Sequence, residues 1–234
     1  MKTVTINVFF ISPTIWFGQS IHDDGSLIES FGKGGYIDLK ENHVWDTEDL
    51  EGEINQSSPA ITYKDHLILD TNPHEGRTAA PGNMRSFNTI TGEFEWRFHT
   101  IPQEGQLGYD TWEWEENMIY GGANSWGGFT VDEERGWVFA ATGSATGGIH
   151  GGGGARPGKN LFANCVLAIN AETGELQWYF QTMHHDIWDY DIAPPPMLSY
   201  HYQRWRGKRC CGSDRKTGEG ICSQTAILVS LFSR

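Results

Sequence analysis

TITGEFEWRFHT, residues 89–100, and AETGELQWYFQT, residues 171–182, are two copies of one pattern. Each copy places a turn containing Gly before a run in which apolar and polar residues alternate, and Trp96 and Trp178 hold equivalent positions. A fainter copy, DDGSLIESFG, lies at 23–32. Alternation with a period of two, bounded by Gly turns, is typical of half-buried strands. The repeat therefore predicts an all-β chain built from similar units.

Further strand-like runs precede each clear copy. AITYKDHLILD at 60–70 lies before the first, and GWVFAATG at 136–143 and CVLAIN at 165–170 lie before the second. The DEERG at 132–136 predicts a hairpin turn between two strands. Repeated β units of this kind are typical of propeller blades, in which radial repetition protects the sheet edges. At roughly 40–50 residues per blade, the chain has room for about three or four.

Composition excludes several classes of function. The 234 residues carry a net charge of −13, and an acidic chain repels phosphate backbones, so nucleic-acid binding is not expected. No apolar run approaches the roughly 18–20 residues that span a bilayer. The opening residues 1–19 are interrupted by Asn7 and Pro13, which favours a strand over a signal peptide. The four Cys lack CxxC spacing, so a zinc site is not supported.

Several longer stretches resemble one known family. They are SSPAITYKDHLIL, HEGRTAAPGNMRSFNTITGEFEWRFHTIP, GYDTW, GGANSWGGFTVDEERGWVFAATGSA, NLFANCVLAINAETGELQWYFQT and HHDIWDYDIAPPP. They lie in order within roughly residues 25–198, and they resemble the pyrroloquinoline quinone (PQQ)-dependent dehydrogenases, the quinoprotein glucose and alcohol dehydrogenases. The resemblance implies an eight-bladed propeller with PQQ and a metal ion on its axis. Eight blades need on the order of 350–400 residues, so the chain looks like a partial propeller.

The resemblance also implies a reaction. A CH–OH group of a sugar or alcohol substrate would be oxidised, and the electrons would pass through PQQ to a quinone or cytochrome acceptor. Family resemblance alone places the protein in the periplasm or on the periplasmic face of the membrane. Such chemistry needs a base for the hydroxyl proton, a Lewis acid that polarises the quinone, and a rigid support for the cofactor ring.

The catalytic base implied by the resemblance is Asp189, in HHDIWDYD at 184–191. Asp186 is the second choice, and we expect it to order the loop instead. The pair His184 and His185 precedes the base, and we interpret it as lining the substrate entrance rather than acting directly.

Cofactor contacts are implied at three positions. Trp126, in NSWGG, matches the Trp on which the PQQ ring lies, because a flat quinone needs a flat, polarisable partner. The alternative for Trp126 is a core blade residue, which is how we interpret Trp96 and Trp178. Asn72 and Asn124 lie where the family contacts polar groups of PQQ.

The resemblance implies a metal site formed by Glu75, Ser144, Asp189 and Asp191. Glu75, in HEG, matches a metal-binding Glu, whereas Ser144 stands where many members have a ligating Asn and is a poorer ligand. Asp191 follows the base by two residues, at a position where an acid accompanies lanthanide use in some branches. Hard cations favour carboxylate oxygens, and Ca²⁺ is the expected ion, ahead of a lanthanide.

The resemblance weakens towards the end of the chain. We expect residues 1–200 to form a partial quinoprotein β-propeller and residues 201–234 to form a non-matching tail. A reading-frame slip near residue 200 is one hypothesis, since codons exist for RCCGSDRKTGEGIC that read as family-like sequence one nucleotide out of step. The adjacent Cys210 and Cys211 are interpreted as incidental.

Two other functions compete with the dehydrogenase. One is a non-catalytic propeller scaffold that binds proteins, because such scaffolds share the TGxxxW repeat; the other is an inactive fragment. Glu75, Trp126 and Asp189 together favour the dehydrogenase, because a scaffold has no need of them. We nevertheless expect this chain alone to have little or no activity.

Overall fold

The computed structural model describes residues 16–18, 27–41, 54, 56, 58–76, 79–114, 120–146, 156–192, 194–203 and 206–212. Almost all regular structure in these ranges is β-strand, and the one short exception is a 3₁₀ turn at Tyr109–Thr111. The strands are β1 (Trp16–Gly18), β2 (Tyr36–Asp38), β3 (Ile61–Tyr63), β4 (His66–Leu69), β5 (Met84–Asn88), β6 (Phe94–Phe98), β7 (Phe129–Asp132), β8 (Trp137–Ala141), β9 (Cys165–Asn170), β10 (Leu176–Gln181), β11 (Met197–Gln203) and β12 (Arg206–Gly212). The all-β prediction is confirmed.

Two four-stranded antiparallel sheets form the centre of the described structure. Their strand orders are β3-β4-β5-β6 and β7-β8-β9-β10, so each sheet is a simple meander. The two clear repeat copies form the last strand of each sheet, β6 and β10. The predicted turn at 132–136 joins β7 to β8, where the Gly136 N–H donates to the Asp132 carbonyl at 2.8 Å.

The first strands of successive sheets lie side by side. β3 contacts β7, and β7 contacts β11. The Thr130 hydroxyl in β7 also donates to the Pro196 carbonyl just before β11. Sheets arranged with their first strands around a common line have the geometry of propeller blades.

Apolar packing fills the space between the sheets. Ile68, Met84 and Trp96 of the first sheet meet Phe129 and Val138 of the second in one buried cluster. A second cluster packs residues 31–39 against the other side of the first sheet, and a third packs the second sheet against Ile192 and Leu198. Both sheets are therefore covered on two sides, which explains why CVLAIN at 165–170 is almost continuously buried.

Some sequence predictions fall partly or wholly outside the described residues. Residues 1–15 and 19 of the predicted first strand lie outside, as do residues 23–26 of the faint repeat copy. The predicted boundary at residue 200 falls within β11, which pairs with β12. The division into 1–200 and 201–234 stays a prediction. No helix within the described ranges is long and apolar enough to cross a membrane.

Candidate active site

A cavity of about 300 Å³ brings the predicted site residues together. This volume lies at the lower end of the roughly 300–1,000 Å³ range of small-molecule sites. Carboxylates, amides, hydroxyls and one indole dominate its wall. The lining residues are Asn72, Pro73, Glu75, Gly122, Asn124, Trp126, Ser144, Thr146, Asp189 and Asp191. The first-choice base Asp189 and every residue proposed for the cofactor and the metal are among them.

The antiparallel meanders explain why these distant positions meet. Residues 72–75 follow β4, residues 124–126 precede β7, Ser144 follows β8, and residues 189–191 follow β10. Neighbouring strands in each meander run in opposite directions. The end of β4 therefore lies at the same end of its sheet as the start of β3, and the ends of β8 and β10 lie at the same end as the start of β7. The loops that carry these residues consequently leave the sheets at one end.

Backbone hydrogen bonds tie the loops to one another. The Ala123 N–H donates to the Ser144 carbonyl and the Gly143 N–H donates to the Asn124 carbonyl, both at 3.0 Å. Gly82 makes a close approach possible, because a Cβ at that position would lie 2.2 Å from the Asn124 Cβ. The cavity wall is therefore a paired backbone framework rather than a set of independent loops.

Amide groups form one part of the wall. The Asn124 side-chain N–H donates to Asn72 Oδ1 at 2.9 Å, and Asn124 is buried. A paired amide couple of this kind presents both donor and acceptor chemistry to a polar ligand.

The indole of Trp126 is held by a carboxylate. Its Nε1–H donates to Asp191 Oδ2 at 3.2 Å, while Asp191 Oδ1 accepts the Ser144 backbone N–H at 2.7 Å. Trp126 is half-buried rather than part of a closed core, in contrast to Trp96 and Trp178, which are both buried. The role of Trp126 as the support of the cofactor ring stays a prediction.

Asp186 organises the loop that carries the predicted base. It is 1 % exposed, and its carboxylate accepts the backbone N–H groups of Trp188 at 2.9 Å and Tyr190 at 2.6 Å. It also accepts the Ser144 hydroxyl, and the Asn164 amide at 3.2 Å. These bonds agree with the expectation that Asp186 orders the loop.

Asp189 lies between the two backbone groups that Asp186 holds. Its φ of +60° is in the left-handed region, which non-Gly residues rarely adopt and which Asp tolerates better than most. An uncommon conformation persists only when the surroundings impose it, and here the two flanking N–H bonds do so. Asp189 is one of the residues that line the cavity.

Arg156 and Asn164 support the same loop, and the sequence did not single them out. Arg156 is 2 % exposed; it donates to the Asp186 carbonyl and, at 2.9 Å, to Asn160 Oδ1. Burial lowers the pKa of Arg156, whereas the nearby Asp186 and Asp189 raise it. An isolated Arg within the Gly-rich stretch GGGGARPGKN was the available sequence signal.

The two histidines are placed outside the cavity wall. His184 is exposed, and His185 Nδ1 lies 2.9 Å from the Gly158 carbonyl. Neither His184 nor His185 is among the described residues that line the cavity. Their predicted role at a substrate entrance stays a prediction.

The cavity fits a hard cation in the type of its donors. Glu75, Asp189 and Asp191 supply carboxylate oxygens, which Ca²⁺ and similar ions prefer. Across the described residues, however, no three His, Cys, Asp or Glu side chains are grouped closely enough to hold a metal. The Ser144 hydroxyl is directed to Asp186, so the wall provides an oxygen-rich but incomplete ligand set.

Comparison with known sequences identifies related proteins. The family model described as PQQ, glucose/ethanol/alcohol dehydrogenase, beta-propeller domain, matches residues 13–218. Quinoprotein glucose dehydrogenase A of Acinetobacter calcoaceticus is 30 % identical over 186 residues, covering 76 % of this chain and 22 % of that protein. Quinohemoprotein alcohol dehydrogenase of Comamonas testosteroni is 25 % identical over 175 residues, covering 67 % of this chain and 24 % of that protein. The chain therefore spans about a fifth to a quarter of these relatives.

Solved structures show the same architecture. The quinohemoprotein alcohol dehydrogenase ADHIIG of Pseudomonas putida HK5 superposes with a TM-score of 0.70 at 19 % identity, covering 91 % of this chain and 32 % of that one. A europium-containing methanol dehydrogenase gives a TM-score of 0.71 at 16 % identity, covering 94 % and 39 %. At these identities the likeness concerns the fold, and it confirms the predicted propeller class.

Proposed function

Because the chain belongs to the family of PQQ-dependent glucose, ethanol and alcohol dehydrogenase β-propeller domains, we propose that it supplies the cofactor-binding part of a dehydrogenase acting on a sugar or alcohol. The supporting observation is that the base, cofactor and metal positions suggested by resemblance all line one cavity. The activity is proposed for a protein that carries further blades, since the chain spans only part of its relatives.

In this proposal Asp189 is the general base. Its carboxylate would accept the proton of the substrate hydroxyl, which is a step that a positioned carboxylate performs well. Asp186 keeps that carboxylate in the cavity wall through the N–H groups on either side of it. When bound, PQQ supplies the two-electron redox chemistry.

The other cavity residues would bind the cofactor. Trp126 would offer a flat indole to the ring, and its Nε1–H donates to Asp191. The Asn72–Asn124 pair would contact polar groups on the rim of the cofactor. These residues would exclude water from one face of the ring and orient it.

Glu75 and Asp189 would hold the metal, with Ca²⁺ as the expected ion and a lanthanide as the alternative. Ser144 and Asp191 stay proposed ligands, although both already bind protein groups. An ionised carboxylate has about four lone-pair sites, so the N–H groups of Trp126 and Ser144 do not by themselves saturate Asp191.

The remaining parts of the proposal follow the family. The electron acceptor would be a quinone or cytochrome, and the location would be the periplasm or the periplasmic face of the membrane. A non-catalytic scaffold is the second candidate, but a scaffold has no need of a cavity lined by three carboxylates and a half-buried indole.

Binding of PQQ to the purified chain tests the proposal. Wild type, Trp126→Ala and Glu75→Gln would be titrated with PQQ in Ca²⁺, in La³⁺ and in a chelator, and Trp fluorescence would be followed. Glu133→Gln, in the exposed turn between β7 and β8, is the control for loss of a carboxylate.

We expect quenching in wild type and the control that is stronger with metal than in the chelator, and weaker binding in both site variants. A folded chain that shows no response to PQQ under any condition would favour the scaffold. Dye reduction with glucose, ethanol or glycerol then tests the further prediction that the chain alone has little or no activity.

A further inference from the structure

We propose that Asp191 is a positioning residue whose carboxylate sets the orientation of the Trp126 indole in the cavity wall. The metal-ligand role suggested by resemblance does not include this function. The consequence for the cofactor rests on the proposed function, but the contact between Asp191 and Trp126 does not.

Each oxygen of Asp191 accepts one N–H from a different part of the chain. Oδ2 accepts the Trp126 Nε1–H at 3.2 Å, and Oδ1 accepts the Ser144 backbone N–H at 2.7 Å. Both distances lie within the normal range, and bonds to an ionised carboxylate are stronger than neutral ones. Asp191 therefore joins the loop after β10 to the segment before β7 and the segment after β8.

The backbone leaves room for this arrangement at Gly143. A Cβ at that position would lie 2.8 Å from Asp191 Oδ1 and 3.2 Å from Trp126 Nε1. Real Cβ atoms do not make the first of these contacts without a shift of the neighbour. A side chain at position 143 would crowd both the carboxylate and the indole N–H, so the absence of one leaves space for the contact.

Orientation matters for this particular indole because it is half-buried. A core Trp is fixed by packing on all sides, whereas Trp126 has part of its surface on the cavity. The hydrogen bond to Asp191 at the ring edge then favours one orientation of the indole. A preoriented ring binds a planar ligand without first losing that freedom.

The same geometry couples two functions of the cavity. Asp189 and Glu75 line the cavity with Asp191, so a cation placed among these carboxylates would lie beside the group that holds Trp126. Metal binding and ring orientation would then depend on one side chain. Loss of Asp191 should weaken ligand stacking even when no metal is present, which a pure ligand role does not predict.

The indole N–H of Trp126 can be observed directly. The full 234-residue chain contains 10 Trp, and ¹⁵N-labelled tryptophan gives one indole resonance for each. Trp126→Phe identifies the Trp126 signal by its disappearance. Wild type, Asp191→Asn, Asp191→Ala and the control Glu133→Gln would be compared for chemical shift and for exchange of that proton with solvent.

We expect Asp191→Ala to shift the Trp126 resonance and to accelerate its exchange by about tenfold. Asp191→Asn keeps an oxygen acceptor and should be intermediate, and Glu133→Gln should match wild type. An unchanged Trp126 resonance and exchange rate in Asp191→Ala would overturn the inference. If Asp191→Ala does not fold, an unchanged Trp126 resonance and an unchanged exchange rate in Asp191→Asn would also overturn the inference.

PQQ titration in a chelator supplies the second readout. We expect Asp191→Ala to weaken metal-free PQQ binding by several-fold, and wild-type affinity there would contradict the stated consequence. Failure of wild type itself to bind PQQ would count against the proposed function, while the resonance comparison would still decide the role of Asp191.

Discussion

The indole Nε1–H of Trp96 donates a hydrogen bond of 3.1 Å to the carbonyl of Ala171, in the turn that begins the second repeat copy. Gly174 lies in the same turn with a φ of +74°, and a Cβ there would come within 2.7 Å of the Trp96 ring. The Trp of one copy thus packs on the Gly of the next. This contact gives a physical reason for a repeat that contains both residues.

The first prediction compares the two equivalent tryptophans. Trp96→Phe removes a buried bond and leaves the Ala171 carbonyl without its donor, so we expect a loss of about 2–3 kcal/mol in the free energy of unfolding. Trp178 is as buried, but among the described residues its Nε1 has no hydrogen-bond partner. Trp178→Phe should therefore be less destabilising, by about 1 kcal/mol. Urea unfolding measures both, and equal losses would contradict the assigned role of the bond.

Strands and blade tryptophans were predictable because their signals are local. Alternation and TG turns lie within a dozen residues, and they located β6 and β10. The site residues came from family resemblance, and the structure shows that they share a cavity. The bonds that support them were not predictable, since Trp126 and Asp191 are 65 positions apart and no spacing rule connects them. Arg156 was missed for the same reason: its partners lie in other loops.

The second prediction concerns Asp70, which is fully buried at the end of β4. Burial is the largest effect on the pKa of Asp70 and raises it from 3.8 to about 7. Hydrogen bonds from Gln56 and Ser58 and the charge of Arg85 act in the opposite direction and lower this pKa, but by less. The folded state thus binds more protons than the unfolded chain between about pH 4 and pH 7. The free energy of unfolding should then fall as the pH rises through this window, by up to about 4 kcal/mol.

Asp70→Asn tests this assignment. The variant does not titrate at position 70, so its unfolding free energy should depend less on pH between about 4 and 7. Urea midpoints and slopes would be measured at several pH values within that window. An identical pH dependence in wild type and Asp70→Asn would show that another group is responsible.

The third prediction concerns the loop that carries Asp189. Asp186→Ala removes the acceptor for the Trp188 and Tyr190 N–H groups and for the Ser144 hydroxyl. We expect a loss of about 2–4 kcal/mol in stability, because several buried donors lose their partner together. Asp186→Asn keeps one oxygen and should lose less. Urea unfolding and limited proteolysis within residues 184–191 would measure the effect, and wild-type behaviour of both variants would refute the role of Asp186.

The fourth prediction concerns Asp189 itself. In a protein that carries the remaining blades and is loaded with PQQ and Ca²⁺, Asp189→Asn should lower kcat by about 10²–10⁴-fold, because an amide accepts no proton from the substrate. The amide is nearly isosteric, so PQQ binding should change much less than kcat. Parallel measurement of dye reduction and of PQQ affinity separates the two effects, with Glu133→Gln as the control. Activity of Asp189→Asn within a few-fold of wild type would exclude Asp189 as the base.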